Sequence, residues 1–359
     1  MVAKDTLHDG AFIRPCPSPY SHAQIKKYLE CIKWPVSTVT PDQFDPNLDN
    51  LHLLMYLHFV AFPFSNVDLH YTKEHRMSVS YEGAYERLVL YRSGSWCMGQ
   101  NSLFLGMLRG LGYRAYAAPA RGLFQNRHQH GPLTHLVILV QPLAGSNQTY
   151  VVDVGYGGSG GIRPLLLTDM SESDAHWVWG TFPPERHRVV RAAHPASSLE
   201  TEEASGVVPL RDWDMQVTHS PIGSKELEWQ SLYTFNELEF FPVDIETASY
   251  VVATVPGMFT KTVIVNTAFE VTLDDLADVE LGKEERSVLS DSGLRWVGRW
   301  VLGDAGTKTF KRLGAHKLEE KVLLSESERV LVLRDVFGID LDGEAERWIA
   351  GRDPELKGP

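Results

Sequence analysis

Three side chains that could do thiol chemistry together occur in order along this chain: Cys97, His135 and Asp153. Cys97 follows the polar stretch Arg92-Ser-Gly-Ser-Trp and opens an apolar run. In that run Leu103, Phe104, Met107, Leu108 and Leu111 recur at helical spacing, with Gly110 and Gly112 as a stop. The spacing therefore predicts Cys97 at or near a helix N-terminus. Free backbone N–H groups and the helix dipole at such an end stabilise a thiolate. The other reading of Cys97 is a buried structural cysteine. A thiol nucleophile also needs a base and a group that orients the base. His135 starts the strand-like run His135-Leu-Val-Ile-Leu-Val-Gln141, and Asp153 ends the next one, Thr149-Tyr-Val-Val-Asp-Val154, just before Gly155-Tyr-Gly-Gly. Adjacent strands could set the carboxylate on one imidazole nitrogen and the thiol on the other. By spacing alone His128 or His130 could equally be the base, and a strand-end aspartate before glycine also fits plain turn chemistry.

Elements of three textures must position these groups. After an irregular arm with Pro15, Pro17 and Pro19, helical patterns run from Ser21 to Pro35, from Asn50 to Phe62 and from Tyr81 to Tyr91, and then through the cysteine segment. Strand-like runs follow at 114–121, 135–141, 149–154, 176–181, 187–191 and 212–218, with an exposed loop expected over 193–206. In the His135 strand, alternation places His135, Val137 and Leu139 on one face. Beyond Phe241-Pro242 the pattern predicts a helix over 244–250, strands over 261–265, 268–271 and 295–301, and a helix from Ser325 or Ser327 that stops at Gly338, with a frayed tail after Trp348. The fold class expected is α+β. Residues 1–112 read as a helical bundle carrying the cysteine, 113–240 as an antiparallel sheet or barrel carrying the histidine and aspartate, and 241–359 as a mixed α/β part.

Composition bounds the function. The 359 residues suit two or three domains, and 34 basic against 46 acidic side chains give a net charge of −12. An acidic chain with no basic cluster is a poor partner for nucleic acid or an anionic membrane. Three cysteines (Cys16, Cys31 and Cys97) make neither a disulfide framework nor a zinc motif. With no leader pattern and no apolar run of spanning length, the expectation is a cytoplasmic protein without a metal, acting as a monomer on small molecules.

The order of these residues resembles the arylamine N-acetyltransferase family, in its fungal form. Phe62-Pro63-Phe64-Ser65-Asn66 is similar to that family's Pro-Phe-Glu-Asn, and Arg92-Ser-Gly-Ser-Trp-Cys97 to its Arg-Gly-Gly-x-Cys. Asn101 lies four residues after the cysteine, as in the family. Asp153-Val-Gly-Tyr-Gly-Gly-Ser-Gly-Gly-Ile-Arg163-Pro164, Glu237-Leu-Glu-Phe-Phe-Pro242 and Glu326-Ser-Glu-Arg-Val-Leu resemble further family segments, so the similarity spans roughly residues 20 to 345. The resemblance implies a three-part fold of helical bundle (1–112), antiparallel β-barrel (113–240) and α/β lid (241–359) around a core like that of cysteine proteases and transglutaminases, and a ping-pong reaction of xenobiotic-metabolising type. Cys97 would take an acetyl group, or a malonyl or propionyl group, from acyl-coenzyme A as a thioester. His135, oriented by Asp153, would then pass it to an arylamine, arylhydrazine or arylhydroxylamine. Coenzyme A, a co-substrate rather than a bound cofactor, would lie against Thr254, Pro256, Gly257 and Phe259, and Phe64, Arg92 and Phe124 would line the substrate site. The chain departs from the pattern at Gly99 and Ser65, each a glutamate in the family, at Ser93, and by one extra residue before the cysteine. Arg92 thereby loses its two obvious carboxylate partners, which raises the idea of a free cation favouring a donor with its own carboxylate. Two other readings remain open: a thiol hydrolase of the same triad logic, and a non-catalytic homologue that binds coenzyme A or arylamines.

Overall fold

The computed structural model describes residues 5–36, 40–123, 130–168, 176–194, 196–203, 206–277 and 279–357. Its helices begin where the sequence places capping chemistry. Ser21 accepts from Gln24 N–H while the Gln24 side chain accepts from Ser21 N–H, and His22–Cys31 follows. Asn47 caps Leu48–Ala61 with its Oδ1, which accepts from Asn50 N–H. Tyr81–Tyr85 runs on into a π-turn over Glu86–Leu90, closed by Tyr91 N–H to the Glu86 carbonyl. These elements pack around Cys97–Gly110, whose Leu103, Phe104, Met107 and Leu108 lie in the largest hydrophobic core.

The central region is an eight-stranded antiparallel sheet. Its strand order is Leu165–Leu166, Tyr150–Val152, His135–Gln141, Arg114–Gly122, Gln230–Phe235, Arg211–Thr218, Arg186–Ala193 and Val178–Trp179. The sheet curls nearly closed, bringing Leu165–Leu166 at one edge near Arg186–Ala193, next to the other edge. Alternation along His135–Gln141 divides two cores. Leu136, Ile138 and Val140 face the helices, while Val137 and Leu139 face the barrel interior. The strand is buried on both faces, so its helix side is as apolar as its barrel side. The N-terminal arm straps this sheet. Gln141 accepts from Ile13 N–H and donates to the Ala11 carbonyl, and Asn147 donates to the Gly10 carbonyl.

The C-terminal part is a five-stranded antiparallel sheet: Phe64–Ser65, Val265–Glu270, Val297–Gly303, Lys308–Leu313 and His316–Val322. Its first strand comes from the helical segment, with Phe64 opposite Asn266, so the Pro-Phe-Ser-Asn stretch is hydrogen-bonded to this sheet. The helix Pro242–Thr254 leads into it, and Glu326–Asp335 packs on it.

Several sequence expectations are corrected here. Residues 193–206 were expected as a loop, but Glu200–Glu203 pairs with Gly206–Pro209 as an exposed two-stranded ribbon. The two short strands expected over 261–271 are the helix Met258–Lys261 and one strand, Val265–Glu270. Gln230–Phe235, Lys308–Leu313, His316–Val322 and the helix Lys283–Asp291 were not anticipated. The tail is tied down rather than frayed: Leu356 N–H donates to Glu326. No helix among the described residues is long and apolar enough to cross a membrane.

Candidate active site

Cys97 is the first residue of its helix, as the spacing predicts. The residue before it, Trp96, has no side-chain oxygen and makes no cap. The first backbone bond of the helix is Gln100 N–H to the Trp96 carbonyl. The N–H groups of Cys97, Met98 and Gly99 therefore have no partner within the helix, and the dipole end faces the thiol. The Sγ atom lies 3.7 Å from the Thr134 carbonyl oxygen, immediately before His135.

His135 Nε2 lies 2.7 Å from Asp153 Oδ2, and both residues are buried. The Cys97 thiol lies near the same imidazole and favours its charged form. Burial by itself disfavours the charged ring. The Asp153 carboxylate and the Cys97 thiol outweigh burial, and the His135 pKa rises to about 10. Burial likewise disfavours the Asp153 carboxylate, but the His135 charge, then the His135 and Asn101 hydrogen bonds and Gly155 N–H, hold its pKa below the ordinary carboxylate value. The pair is therefore an imidazolium–carboxylate at neutral pH.

Asn101 assembles this geometry, a role sequence reasoning left unassigned. One helical turn after Cys97, its Nδ2 donates to the Leu136 carbonyl at 2.7 Å and to Asp153 Oδ1 at 2.9 Å, and its Oδ1 accepts from Val154 N–H at 3.0 Å. One amide thus laces the cysteine helix to both sheet strands. Its i+4 position was the available signal. Tyr233 was missed altogether. Its ring sits 4.8 Å from His135 and 5.1 Å from Tyr156, and burial, then the nearby Asp153 charge, hold its hydroxyl neutral. Ala120, opposite both His135 and Phe235, carries only a methyl, so the aromatic rings have room to close on the imidazole.

Gly155 lets the aspartate turn come this close. A Cβ there would sit 2.7 Å from Cys97 Cα and 2.8 Å from the Cys97 carbonyl oxygen. Gly155→Ala should therefore push the Cys97 backbone away, cost about 1–3 kcal/mol and slow Cys97 alkylation. Thermal melting and iodoacetamide kinetics on the same preparation check both effects.

The remaining expected site residues divide. Phe64 is buried beside the cysteine loop, with its ring 6.3 Å from Phe259. Phe259 stands edge-on to Trp96 at 5.8 Å. Asn66 pins that turn, donating to the Phe259 and Thr262 carbonyls and accepting from Ile264 N–H. Thr254, Pro256 and Gly257 are exposed between Pro242–Thr254 and Met258–Lys261. Phe124 and His128 lie outside the described residues. His130 is not the base: its Nδ1 is 3.2 Å from Thr234 Oγ1, and burial, then His194 and Arg121, lower its pKa to about 4.

Arg92 is corrected. It is exposed, has φ of 55°, and donates to the Cys31 carbonyl at 3.2 Å rather than facing the thiol. Arg92→Ala should leave the ratio of acetyl- to malonyl-coenzyme A turnover unchanged, and a steady-state donor comparison reads that directly. Gly99 also has a local reason, because a side chain there would run into Ser95.

Comparisons with known proteins agree with this geometry. A family model described as N-acetyltransferase matches residues 47–290, more than half of the chain. The sequence is 26% identical over 347 residues to an N-malonyltransferase of Gibberella moniliformis, covering 90% of each protein. It is 28% identical over 260 residues to an arylamine N-acetyltransferase of Mycobacterium tuberculosis, covering 69% of this chain and 79% of that one. The solved structure of Mycobacterium marinum arylamine N-acetyltransferase in complex with CoA has the same fold, with a TM-score of 0.61 at 24% identity, covering 88% of this chain and 92% of that one. The protein is thus an N-acyltransferase enzyme. More narrowly, the chain belongs to the arylamine N-acetyltransferase family.

Proposed function

We propose that this enzyme transfers an acyl group from acyl-coenzyme A to an arylamine or arylhydrazine by a ping-pong route through a Cys97 thioester. The observation that carries the reading is the thiol at an uncapped helix N-terminus, beside an imidazole whose Nε2 is held by a buried carboxylate.

In the first half-reaction the Cys97 thiolate attacks the thioester carbonyl carbon. The oxyanion that forms is met by the free N–H groups at the helix start. The C–S bond to coenzyme A breaks, and the departing thiolate takes the His135 proton and leaves as a thiol. In the second, the amine nitrogen attacks the Cys97 thioester, His135 takes the nitrogen's proton, and the Cys97 thiolate is released. Each half exchanges one bond for another, so no oxidant or bound metal is needed. In this reading 1–112 supplies the nucleophile, 113–240 the base and its carboxylate, and 241–359 the coenzyme A seat. The turn at Thr254, Pro256, Gly257 and Phe259 is that seat, because Phe259 packs on Trp96, next to the reacting sulfur.

Acetyl and malonyl are both candidate acyl groups, malonyl on the strength of the relative named above. The test is intact-mass spectrometry with acetyl-, propionyl- or malonyl-coenzyme A and no acceptor. A single adduct that an arylamine discharges supports the ping-pong order and ranks the donors. Hydrolysis of the donor at the same rate without an amine would instead support the thiol hydrolase reading.

A further inference from the structure

The loop that delivers Cys97 is held from behind by a buried arginine outside the triad. Arg87 Nη2 donates to the Gly94 carbonyl at 2.7 Å, three residues before the nucleophile. The Arg87 main-chain carbonyl accepts from Ser93 N–H at 2.9 Å. Its other guanidinium nitrogen, Nη1, is ion-paired with Asp68. On the opposite side the loop is sewn to the Pro-Phe-Ser-Asn stretch: Ser95 N–H donates to the Pro63 carbonyl, and Ser65 N–H to the Ser95 carbonyl. Gly94 has φ of +74°, and a Cβ there would sit 2.6 Å from the Pro63 oxygen. A turn this tight has one carbonyl facing inward, and Arg87 is what meets it. The π-turn at Glu86–Leu90 is the local feature that carries this buried arginine.

We propose that Arg87, charge-balanced by Asp68, is the positioning residue that fixes the Gly94–Trp96 loop and thereby aligns Cys97 with His135. Arg92, the arginine nearest the cysteine in sequence, is turned to solvent, and Arg87 does this work from five residues further back. Burial lowers the Arg87 pKa to about 9, and the Asp68 carboxylate beside it supplies the counter-charge. The inference rests on Cys97 being a paired thiolate.

The test measures iodoacetamide alkylation of Cys97 at pH 6 and pH 9 together with the melting temperature, for the parent chain, Arg87→Met and Arg87→Lys. A thiolate paired with an imidazolium reacts at nearly the same rate at both values, whereas an unpaired thiol reacts much faster at pH 9. In Arg87→Met the pH 6 rate should fall on the order of 10- to 100-fold, with the pH 9 rate less affected. Arg87→Lys keeps the charge beside Asp68 but loses the forked donor, so it should retain the melting temperature and show the same shift more weakly. If Arg87→Met does not fold, Arg87→Lys decides alone. A flat parent profile that stays flat in the folded variants overturns the clamp and leaves the proposed function standing. A steep profile already in the parent chain overturns both.

Discussion

Cys97→Ala protein incubated with acetyl-coenzyme A should keep its unmodified mass, while the parent chain gains one acyl group that an arylamine removes. The effect is all or none because no other cysteine shares the site. Cys31 is half-buried with its sulfur against the Val89 carbonyl, and Cys16 lies in the N-terminal arm. Neither is hydrogen-bonded to a histidine among the described residues. Cys97→Ala should fold, since the thiol makes only sulfur contacts, at 3.7 Å to Thr134 and 3.8 Å to Met98, besides the imidazole. A retained melting temperature with complete loss of the adduct separates chemistry from folding. An adduct of the same mass on Cys97→Ala would place the nucleophile elsewhere and sink the ping-pong scheme.

Asp153→Asn should lower acyl transfer on the order of 10³- to 10⁴-fold, with coenzyme A binding little changed. An asparagine can still reach His135, but it removes the counter-charge. The imidazolium is then buried without its anion, the ring turns neutral, and the thiolate loses its partner. The pH dependence of stability gives an independent reading. In the parent chain the His135 pKa is raised from 6.5 to about 10, so its contribution is complete below pH 6.5 and lost as pH rises through about 10. The Asp153 pKa is lowered from 3.8, so its contribution is complete above that value and lost only as pH falls through the depressed one. Between pH 3.8 and 6.5 the pair contributes a constant amount, and above 6.5 its contribution falls steadily toward pH 10, so the parent chain should melt lower at pH 9 than at pH 5. In Asp153→Asn the sign reverses for His135. Burial now lowers its folded pKa, the unfolded chain binds the extra proton, and stability falls as pH drops below about 6.5. Melting curves at pH 5, 7 and 9 for both proteins check this, and an acid-stable Asp153→Asn would show that the ion pair is not as the geometry has it.

The sequence by itself determined the local elements and the identities at the site. Ser21 and Ser325 cap helices where their side chains predict, and the helix expected from Asn50 starts at Leu48, capped by Asn47. Cys97 opens its helix, and His135 starts a strand that runs to Gln141 as read. These features depend on periodicity and capping, which are properties of adjacent residues. What only the tertiary structure decided depends on which way side chains separated in sequence turn. Tyr233 reaches His135 because Gln230–Phe235 inserts beside Arg114–Gly122, a pairing with no local signature. Lys308–Leu313 and His316–Val322 are rich in charge, and only pairing with each other and with Val297–Gly303 supplies their backbone partners. Arg92 and Arg87 look interchangeable in sequence, yet a positive φ at Arg92 sends one to solvent, while the chain around the π-turn buries the other behind the nucleophile. Asn101 shows the same limit. Its spacing from Cys97 fixes the helix face it shares, but only the sheet packed on that face gives its amide an aspartate and two strands to bind. Long-range contact turns a face into a site, and local pattern carries no record of the partner.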